Sequence, residues 1–334
     1  MKMSVLNRVI CRIVPPVMGV DSTQVLSILV YHRVLNRSDY LRPGVPTVKE
    51  FSWQMELLAK NFSPLSLPDA IDRLRNGELP PRAVCVTFDD GYADNLELAL
   101  PELQRWKVPA TIYIATHYLN GGRMWNDSII EFIRTYRKES LLLNSVSDQP
   151  LAMNSHKERL ASAQKLISFA KYLDQESRHD FSEQLVQKSA RESNSLPNHL
   201  MLSNRQVVEL HNRGVTIGAH TVTHPILLEI PDETSRSEIS EGRAQLEDII
   251  QSPVAHFAYP NGIRGRDFSD RHEEMIKDLG FSSAVTTHRG ASNKKIRLTA
   301  MPRFTPWDKE PHRFALRLAL NMSRTNIPEL GARL

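Results

Sequence analysis

The stretch AVCVTFDDGY at residues 83–92 determines how the rest of the chain is interpreted. Its first six residues, 83–88, are apolar or β-branched and predict a buried strand. Two carboxylates, Asp89 and Asp90, follow at the carboxyl end of that strand, and a glycine then turns the chain. Active sites of parallel α/β folds collect at this end of the strands. The stretch therefore indicates either a site built on two acids or a helix start capped by aspartate.

The alternation of strand and helix continues on both sides of this stretch. Short apolar runs predict further strands at 27–31, 109–114, 215–219, 255–258 and 281–286. Strands that alternate with helices form parallel sheets, and a count of about seven strands favours an α/β fold of the distorted (β/α) barrel type. Residues 127–200 break the alternation, because they are polar, helical in pattern and poor in strand formers. They predict a helical insertion.

These patterns divide the chain into five predicted segments. They are an N-terminal arm at 1–24, a first part of the barrel at 25–126, the helical insertion at 127–200, a second part of the barrel at 201–305, and a C-terminal helix and tail at 306–334.

Composition excludes several classes of protein. Of 334 residues, 41% are hydrophobic and 24% are charged, which is typical of a folded globular protein and not of disordered or collagen-like chains. Two cysteines, neither in a metal-type spacing, provide no disulfide framework. The formal net charge of +4 fits an acidic polymer or an anionic surface as partner, and is too small to indicate nucleic acid.

Both ends of the chain are basic and apolar. In residues 1–20, Arg8 and Arg12 interrupt the apolar run, so the unbroken core of about 7–15 residues of a secretory signal is missing. We expect a short amphipathic helix or arm there, a cytoplasmic location, and peripheral contact with a membrane surface as an open alternative. The segment 312–334 begins as a basic amphipathic helix, for which packing on the barrel is the first expectation.

A histidine pair follows another predicted strand. His220 and His224 come directly after residues 215–219, and Pro225 suits a tight turn that would bring both imidazoles to one ion. With Asp90 they form a set of two histidines and one carboxylate. Such a set suits a hydrolytic metal centre, in which the ion lowers the pKa of bound water to about 7, or a non-haem iron oxygenase.

The arrangement of these residues favours hydrolysis over oxygenation. Oxygenase sets usually place one histidine and the carboxylate close together on a strand, whereas here the histidines are neighbours and the carboxylate is distant. Asp89, beside the metal-type Asp90, would also supply the general base that a hydrolytic centre uses.

Three motifs together resemble the polysaccharide deacetylases of carbohydrate esterase family 4, the NodB homology domain. They are TFDDG at 87–91, HTVTHP at 220–225 and FAYPNG at 257–262. The resemblance covers about residues 25–125 and 200–305, in the family's order. It implies a distorted (β/α) barrel and metal-dependent removal of N-acetyl, sometimes O-acetyl, groups from an acetylated polysaccharide or oligosaccharide.

The resemblance also implies roles for individual residues. Asp89 corresponds to the general base, and Asp90, His220 and His224 correspond to the ligands of a divalent metal, most often Zn²⁺ and sometimes Co²⁺ or Ni²⁺. It is compatible with a role in exopolysaccharide or cell-envelope glycan metabolism.

The third motif departs from the family pattern at two positions. Ala258 stands where an arginine is expected, and Asn261 stands where a tyrosine is expected. The backbone N–H of Asn261 would still serve as an oxyanion donor, since that role needs no side chain. Arg303 is the candidate substitute for the missing arginine.

The family's general acid, a histidine near the carboxyl end, has no counterpart at the usual place. Instead, ILVYH at 28–32 precedes TFDDG and resembles the permuted arrangement of poly-N-acetylglucosamine deacetylases. The first and last strands of a closed barrel are neighbours, so such a permutation preserves the site. His32 is the predicted general acid, and His288 is its rival.

Aromatic side chains could bind the sugar rings. Tyr92, Trp125 and Tyr259 are candidates for stacking, and packing in the core is an equal expectation for each. Two other functions stay open: a catalytically degraded relative that only binds glycan, and a deacetylase of a lipid-linked or small saccharide.

Overall fold

The computed structural model describes residues 5–191 and 196–325. Parts of the predicted arm (1–4), insertion (192–195) and tail (326–334) lie outside the described residues. The chain divides into two compact units, each with its own hydrophobic core. The first unit comprises Met1–Arg37, Val45–Leu119 and Leu202–Leu334, and the second comprises Ser38–Gly44 and Asn120–Met201.

The strands and helices alternate along the first unit. Its strands are β1 (Ser27–Tyr31), β2 (Ser63–Pro64), β3 (Ala83–Phe88), β4 (Ala110–Ile114), β7 (Thr216–Ala219), β8 (His256–Ala258), β9 (Ser283–Arg289) and β10 (Met301–Arg303). Its helices are α1 (Val5–Val17), α2 (Val48–Asn61), α3 (Leu67–Asn76), α4 (Leu100–Trp106), α8 (Asn204–Asn212), α9 (Asp232–Ile250), α10 (Asp270–Asp278) and α11 (Pro311–Asn321).

Seven of these strands form one parallel sheet that almost closes on itself. Their order is β1-β3-β4-β7-β8-β9-β10, and the short β2 pairs with β3. Closure is made at the two ends of this order: the Val30 N–H donates to the carbonyl of Phe304, and the Phe304 N–H donates to the carbonyl of Ile28. The predicted distorted (β/α) barrel is confirmed.

Three of the barrel strands are buried along their whole length. Every residue of β1, β3 and β4 is buried, which explains why these segments read as continuous apolar runs instead of alternating patterns. Because the strands are parallel, their carboxyl ends meet at one edge of the barrel. The loops that follow β1, β3, β7 and β8 therefore start from a common edge.

The second unit consists mostly of helices and also contains a β-hairpin. It contains α5 (Trp125–Thr135), α6 (His156–Lys171) and α7 (Gln175–Arg191), but also the antiparallel strands β5 (Ser140–Leu143) and β6 (Ser147–Ala152). These strands are short and largely exposed, so they lack the apolar alternation that would have marked them in the sequence. Arg42 ties the segment 38–44 to α5 through Asp127 at 2.8 Å and Glu131 at 2.9 Å.

Candidate metal centre

Asp90, His220 and His224 meet at the carboxyl edge of the barrel. One ligand atom of each lies within 4.8 Å of the other two. The Nε2 atoms of His220 and His224 are each 3.6 Å from Oδ1 of Asp90. Atoms about 2.1 Å from a shared tetrahedral ion would lie roughly 3.4 Å apart, so the three side chains fit a divalent cation.

A backbone carbonyl group fixes the orientation of the His220 ring. Its Nδ1 lies 2.7 Å from the carbonyl oxygen of Ala258, which selects the tautomer that donates from Nδ1 and leaves Nε2 toward Asp90. Burial lowers the pKa of His220, but the hydrogen bond and charge of Asp90 and the charge of Asp89 outweigh burial and raise it. A cation at this centre therefore competes with a proton for the imidazole.

The loop between the histidines adopts an unusual backbone. Thr221 has φ +65° and His224 has φ +59°, in the left-handed region that non-glycine residues seldom adopt. Glu238 on α9 holds this loop: its Oε2 accepts the N–H groups of Val222 at 2.9 Å and Thr223 at 2.8 Å. Its Oε1 accepts the Thr223 hydroxyl at 2.7 Å. The carboxylate thus stabilises a turn that brings both imidazoles to one side.

Close contact between α9 and this loop depends on a glycine. A Cβ on Gly242 would lie 2.8 Å from the backbone carbon of Thr221, so a larger residue would push the loop away. Sequence analysis missed both Glu238 and Gly242. The available signal was that Glu238 lies on the buried side of α9, at helical spacing with Ser235 and Gly242, where a charged residue needs a partner.

Replacing Glu238 with alanine is expected to weaken Zn²⁺ binding about 10- to 100-fold, the usual cost of losing a group that orients metal ligands. Titration calorimetry or chelator competition measures this affinity. Glu241→Ala is the matched control, because Glu241 lies on the same helix with an exposed side chain. Equal Zn²⁺ affinity in Glu238→Ala and Glu241→Ala would show that Glu238 does not orient the ligands.

Asp89 forms a buried ion pair with Arg303. The guanidinium NH1 and NH2 atoms lie 2.7 Å from Oδ1 and Oδ2 of Asp89, and Arg303 is 1% exposed. Arg303 also donates to the Thr286 carbonyl at 2.8 Å and to the Thr87 hydroxyl at 3.2 Å. The pairing is bidentate, which fixes the plane of the carboxylate as well as its position. Arg303 thus places a guanidinium beside Asp89, although position 258 is an alanine.

This ion pair controls the ionisation of Asp89. Burial alone would raise the pKa of Asp89, but the charge and hydrogen bonds of Arg303 outweigh burial and hold that pKa below its ordinary value. The charges of His220 and His32 act in the same direction. Asp89 is therefore ionised at neutral pH and able to accept a proton.

The segment after β1 is anchored to residues that follow the DDG motif. The His32 carbonyl accepts a hydrogen bond from Asn95 at 2.9 Å. Asp94 accepts the backbone N–H of Val34 at 3.1 Å and pairs with Arg33 at 2.8 Å. The side chain of His32 is exposed, and its positive charge lowers the pKa of both Asp89 and Asp90.

The rival His288 has different neighbours. Burial lowers its pKa, Arg264 lowers it further, and Asp267 acts in the opposite direction.

Asn261 lies in a turn with φ +60°, and its carbonyl accepts the Thr287 hydroxyl at 2.6 Å. This bond ties the FAYPNG turn to the end of β9.

Two of the three aromatic candidates are buried, which agrees with packing in the core, the alternative to sugar stacking given for each of them. Tyr259 is 0% exposed, stacks on Phe268 at 3.8 Å, and donates its hydroxyl to the Thr299 carbonyl. Tyr92 is 2% exposed, with the Arg33 guanidinium 4.4 Å from its ring centroid. Both followed predicted strands, but their loops fold inward and the rings contribute to packing.

The third aromatic candidate, Trp125, lies in the second unit. It begins α5, is partly buried against that unit's core, and has Arg178 at 5.6 Å from its ring.

The structure is thus a distorted (β/α) barrel of the α/β class. It carries an Asp–His–His group at the carboxyl ends of its strands, beside an Asp–Arg pair. The family described as Polysaccharide deacetylase matches residues 76–163 and 171–284, more than half of the sequence. The chain belongs to this family.

Known relatives agree with this assignment. A protein of Bacillus subtilis (strain 168) named "Putative polysaccharide deacetylase YxkH" is 21% identical over 280 residues, covering 83% of this chain and 70% of that protein. Among solved structures, the deacetylase PplD of Streptococcus pyogenes has a TM-score of 0.59 and 18% identity, covering 89% of this chain and 98% of PplD. IcaB from Ammonifex degensii has a TM-score of 0.55 and 20% identity, with 88% and 97% covered. These two structures share the fold.

Proposed function

We propose that this chain is a metal-dependent deacetylase that hydrolyses the N-acetyl groups of a glycan, with Zn²⁺ held by Asp90, His220 and His224. The single observation that carries the proposal is the position of the Arg303-paired Asp89 directly before Asp90 at the edge where the two histidines converge. Family membership supports an acetylated glycan as substrate. The cellular process we propose is exopolysaccharide or cell-envelope glycan metabolism.

Asp90, His220 and His224 are the residues that would hold a Lewis-acidic cation. A divalent cation held by these three residues would supply Lewis-acid activation of a water molecule and of the acetyl carbonyl oxygen. Three protein ligands are the number that catalytic zinc sites usually have, and such a set would leave a coordination position for water or substrate.

The remaining residues move protons and hold charge. Asp89 accepts a proton from the water as its oxygen bonds to the acetyl carbon. The backbone N–H of Asn261 stabilises the negative charge that develops on the carbonyl oxygen. His32 donates a proton to the sugar nitrogen as the carbon–nitrogen bond breaks. The products are acetate and a free amino sugar.

The electrostatics favour His32 over His288 as the acid. The charge of His32 acts on both Asp89 and Asp90 and lowers the pKa of each. The charged groups that act on His288 are Arg264 and Asp267 instead. An acid that faces the general base across the reacting bond is what amide hydrolysis needs.

The departures from the family motif do not favour a degraded, glycan-binding protein. The arginine missing at Ala258 is replaced in its contact with Asp89 by Arg303. Asn261 contributes through its backbone, so the loss of a tyrosine side chain leaves this role available.

Removal of metal tests the proposal. Purified protein should release acetate from N-acetylglucosamine oligomers, lose this activity after dialysis against a chelator, and regain it with Zn²⁺. His220→Ala is the control that should bind little metal and stay inactive after Zn²⁺ is added. Metal binding without acetate release from either N- or O-acetylated oligomers would instead indicate a glycan-binding protein.

A further inference from the structure

The N-terminal helix α1 presents an apolar face to solvent. Ten large hydrophobic side chains are exposed among the described residues; six of them lie between Val5 and Met18, and a seventh is Leu316 on α11. Leu6, Val9 and Ile13 are 55%, 42% and 52% exposed. So much apolar surface on two helices marks a site of contact with something else.

This face is held in a fixed direction by the barrel. α1 packs on α11, and its opposite side is buried through Asn7, Cys11 and Pro15, which follow one another at helical spacing. Cys11 is 0% exposed and belongs to the barrel core. The outward stripe is therefore a surface of the folded protein.

The charges beside the stripe have one sign. Arg8 and Arg12 are exposed on α1, next to the apolar positions, and Arg313 is exposed on α11. Neither helix contains an acidic residue. Arg317 of α11 pairs with Asp308 and does not add to this excess.

We propose that the outward face of α1, with Leu316 and Arg313 of α11, docks on the surface of an anionic lipid bilayer. An apolar stripe bordered by arginines matches the acyl boundary and the negative headgroups of such a surface. Two copies of the chain meeting through this face would bring like charges together, which disfavours self-association.

The helix lies on the bilayer and does not cross it. Thirteen residues span about 20 Å, whereas the hydrocarbon core is about 30 Å thick. Within residues 5–191 and 196–325, no helix is long and apolar enough to span a membrane.

Vesicle binding by the full chain tests the proposal. Co-sedimentation should be strong with phosphatidylglycerol-containing vesicles and weak with phosphatidylcholine alone. Val9→Gln/Ile13→Gln and Arg8→Gln/Arg12→Gln should each lower binding to the anionic vesicles on the order of tenfold. Leu142→Gln is the matched control, since Leu142 is 51% exposed on β5, away from α1 in the sequence, and should bind like the unaltered chain.

Melting temperature and acetate release from soluble oligomers should be unchanged in all these variants, which separates this proposal from the proposed function. Equal vesicle binding in the α1 variants and in Leu142→Gln would overturn the docking face. A dimer in analytical ultracentrifugation that Val9→Gln/Ile13→Gln dissociates would also overturn it, by assigning the face to a second copy of the chain.

Discussion

Asp89→Asn is expected to lower acetate release about 10²- to 10⁴-fold while the protein still binds one metal ion. The range is the usual contribution of general acid–base catalysis, because asparagine cannot accept the proton of the attacking water. Asp89 points into a bidentate contact with Arg303, not into the group of three ligand atoms, so metal binding should survive. Acetate release at saturating substrate and metal content per chain are the two measurements.

The neighbouring substitution provides the control for this experiment. Asp90→Asn makes the same chemical change one residue further along, but it removes the carboxylate of the metal set. It should therefore lose metal as well as activity. If Asp89→Asn keeps more than one tenth of the acetate release, or loses its metal as Asp90→Asn does, Asp89 is not the general base.

Arg303→Met is expected to lower the free energy of unfolding by about 3–5 kcal/mol, because it leaves the Asp89 carboxylate buried without its partner. Asp89 is 2% exposed and Arg303 1%, so water cannot replace the lost contacts. Loss of the guanidinium should also raise the pKa of Asp89, since burial then acts with less opposition. Protonation of Asp89 would then begin at higher pH, and the acidic limb of the pH–activity profile should shift to higher pH.

A double substitution separates the two effects of Arg303. Arg303→Met/Asp89→Asn removes both charges, so urea unfolding should recover part of the stability lost in Arg303→Met, while acetate release stays low. Arg303→Met with an unfolding free energy within 1 kcal/mol of the unaltered chain would contradict the importance of this pair.

The central barrel strands are predictable from sequence, and the last strand is not. β1 has five residues and β3 has six, and both strands are buried on both faces. Their continuous apolar runs predict them from the sequence. β10 has three residues with Pro302 in the middle, and its pairing with β9 shifts register. Its place depends on closure of the sheet between Phe304 and β1, which no local pattern encodes.

Some residues of the candidate site are likewise predictable from the sequence, and others are not. Asp90, His220 and His224 were foreseen together because each follows a strand, and parallel strands end at one edge. Glu238 could not be foreseen as a contact of the histidine loop, because that contact depends on where α9 lies over the barrel. For Tyr259 the sequence left both sugar stacking and core packing open, and tertiary packing on Phe268 decides for the core.

The bond between Asp89 and Arg303 joins residues 214 positions apart in the chain. A nascent polypeptide that has left the ribosome as far as β9 already contains the DDG and HTVTH motifs, yet Asp89, the general base of the proposed function, has no counter-ion. Synthesis proceeds from the amino terminus, and a buried carboxylate without a partner is costly. Under the proposed function, activity therefore depends on docking of the final strand beside the first, and a chain that ends before Arg303 is inactive.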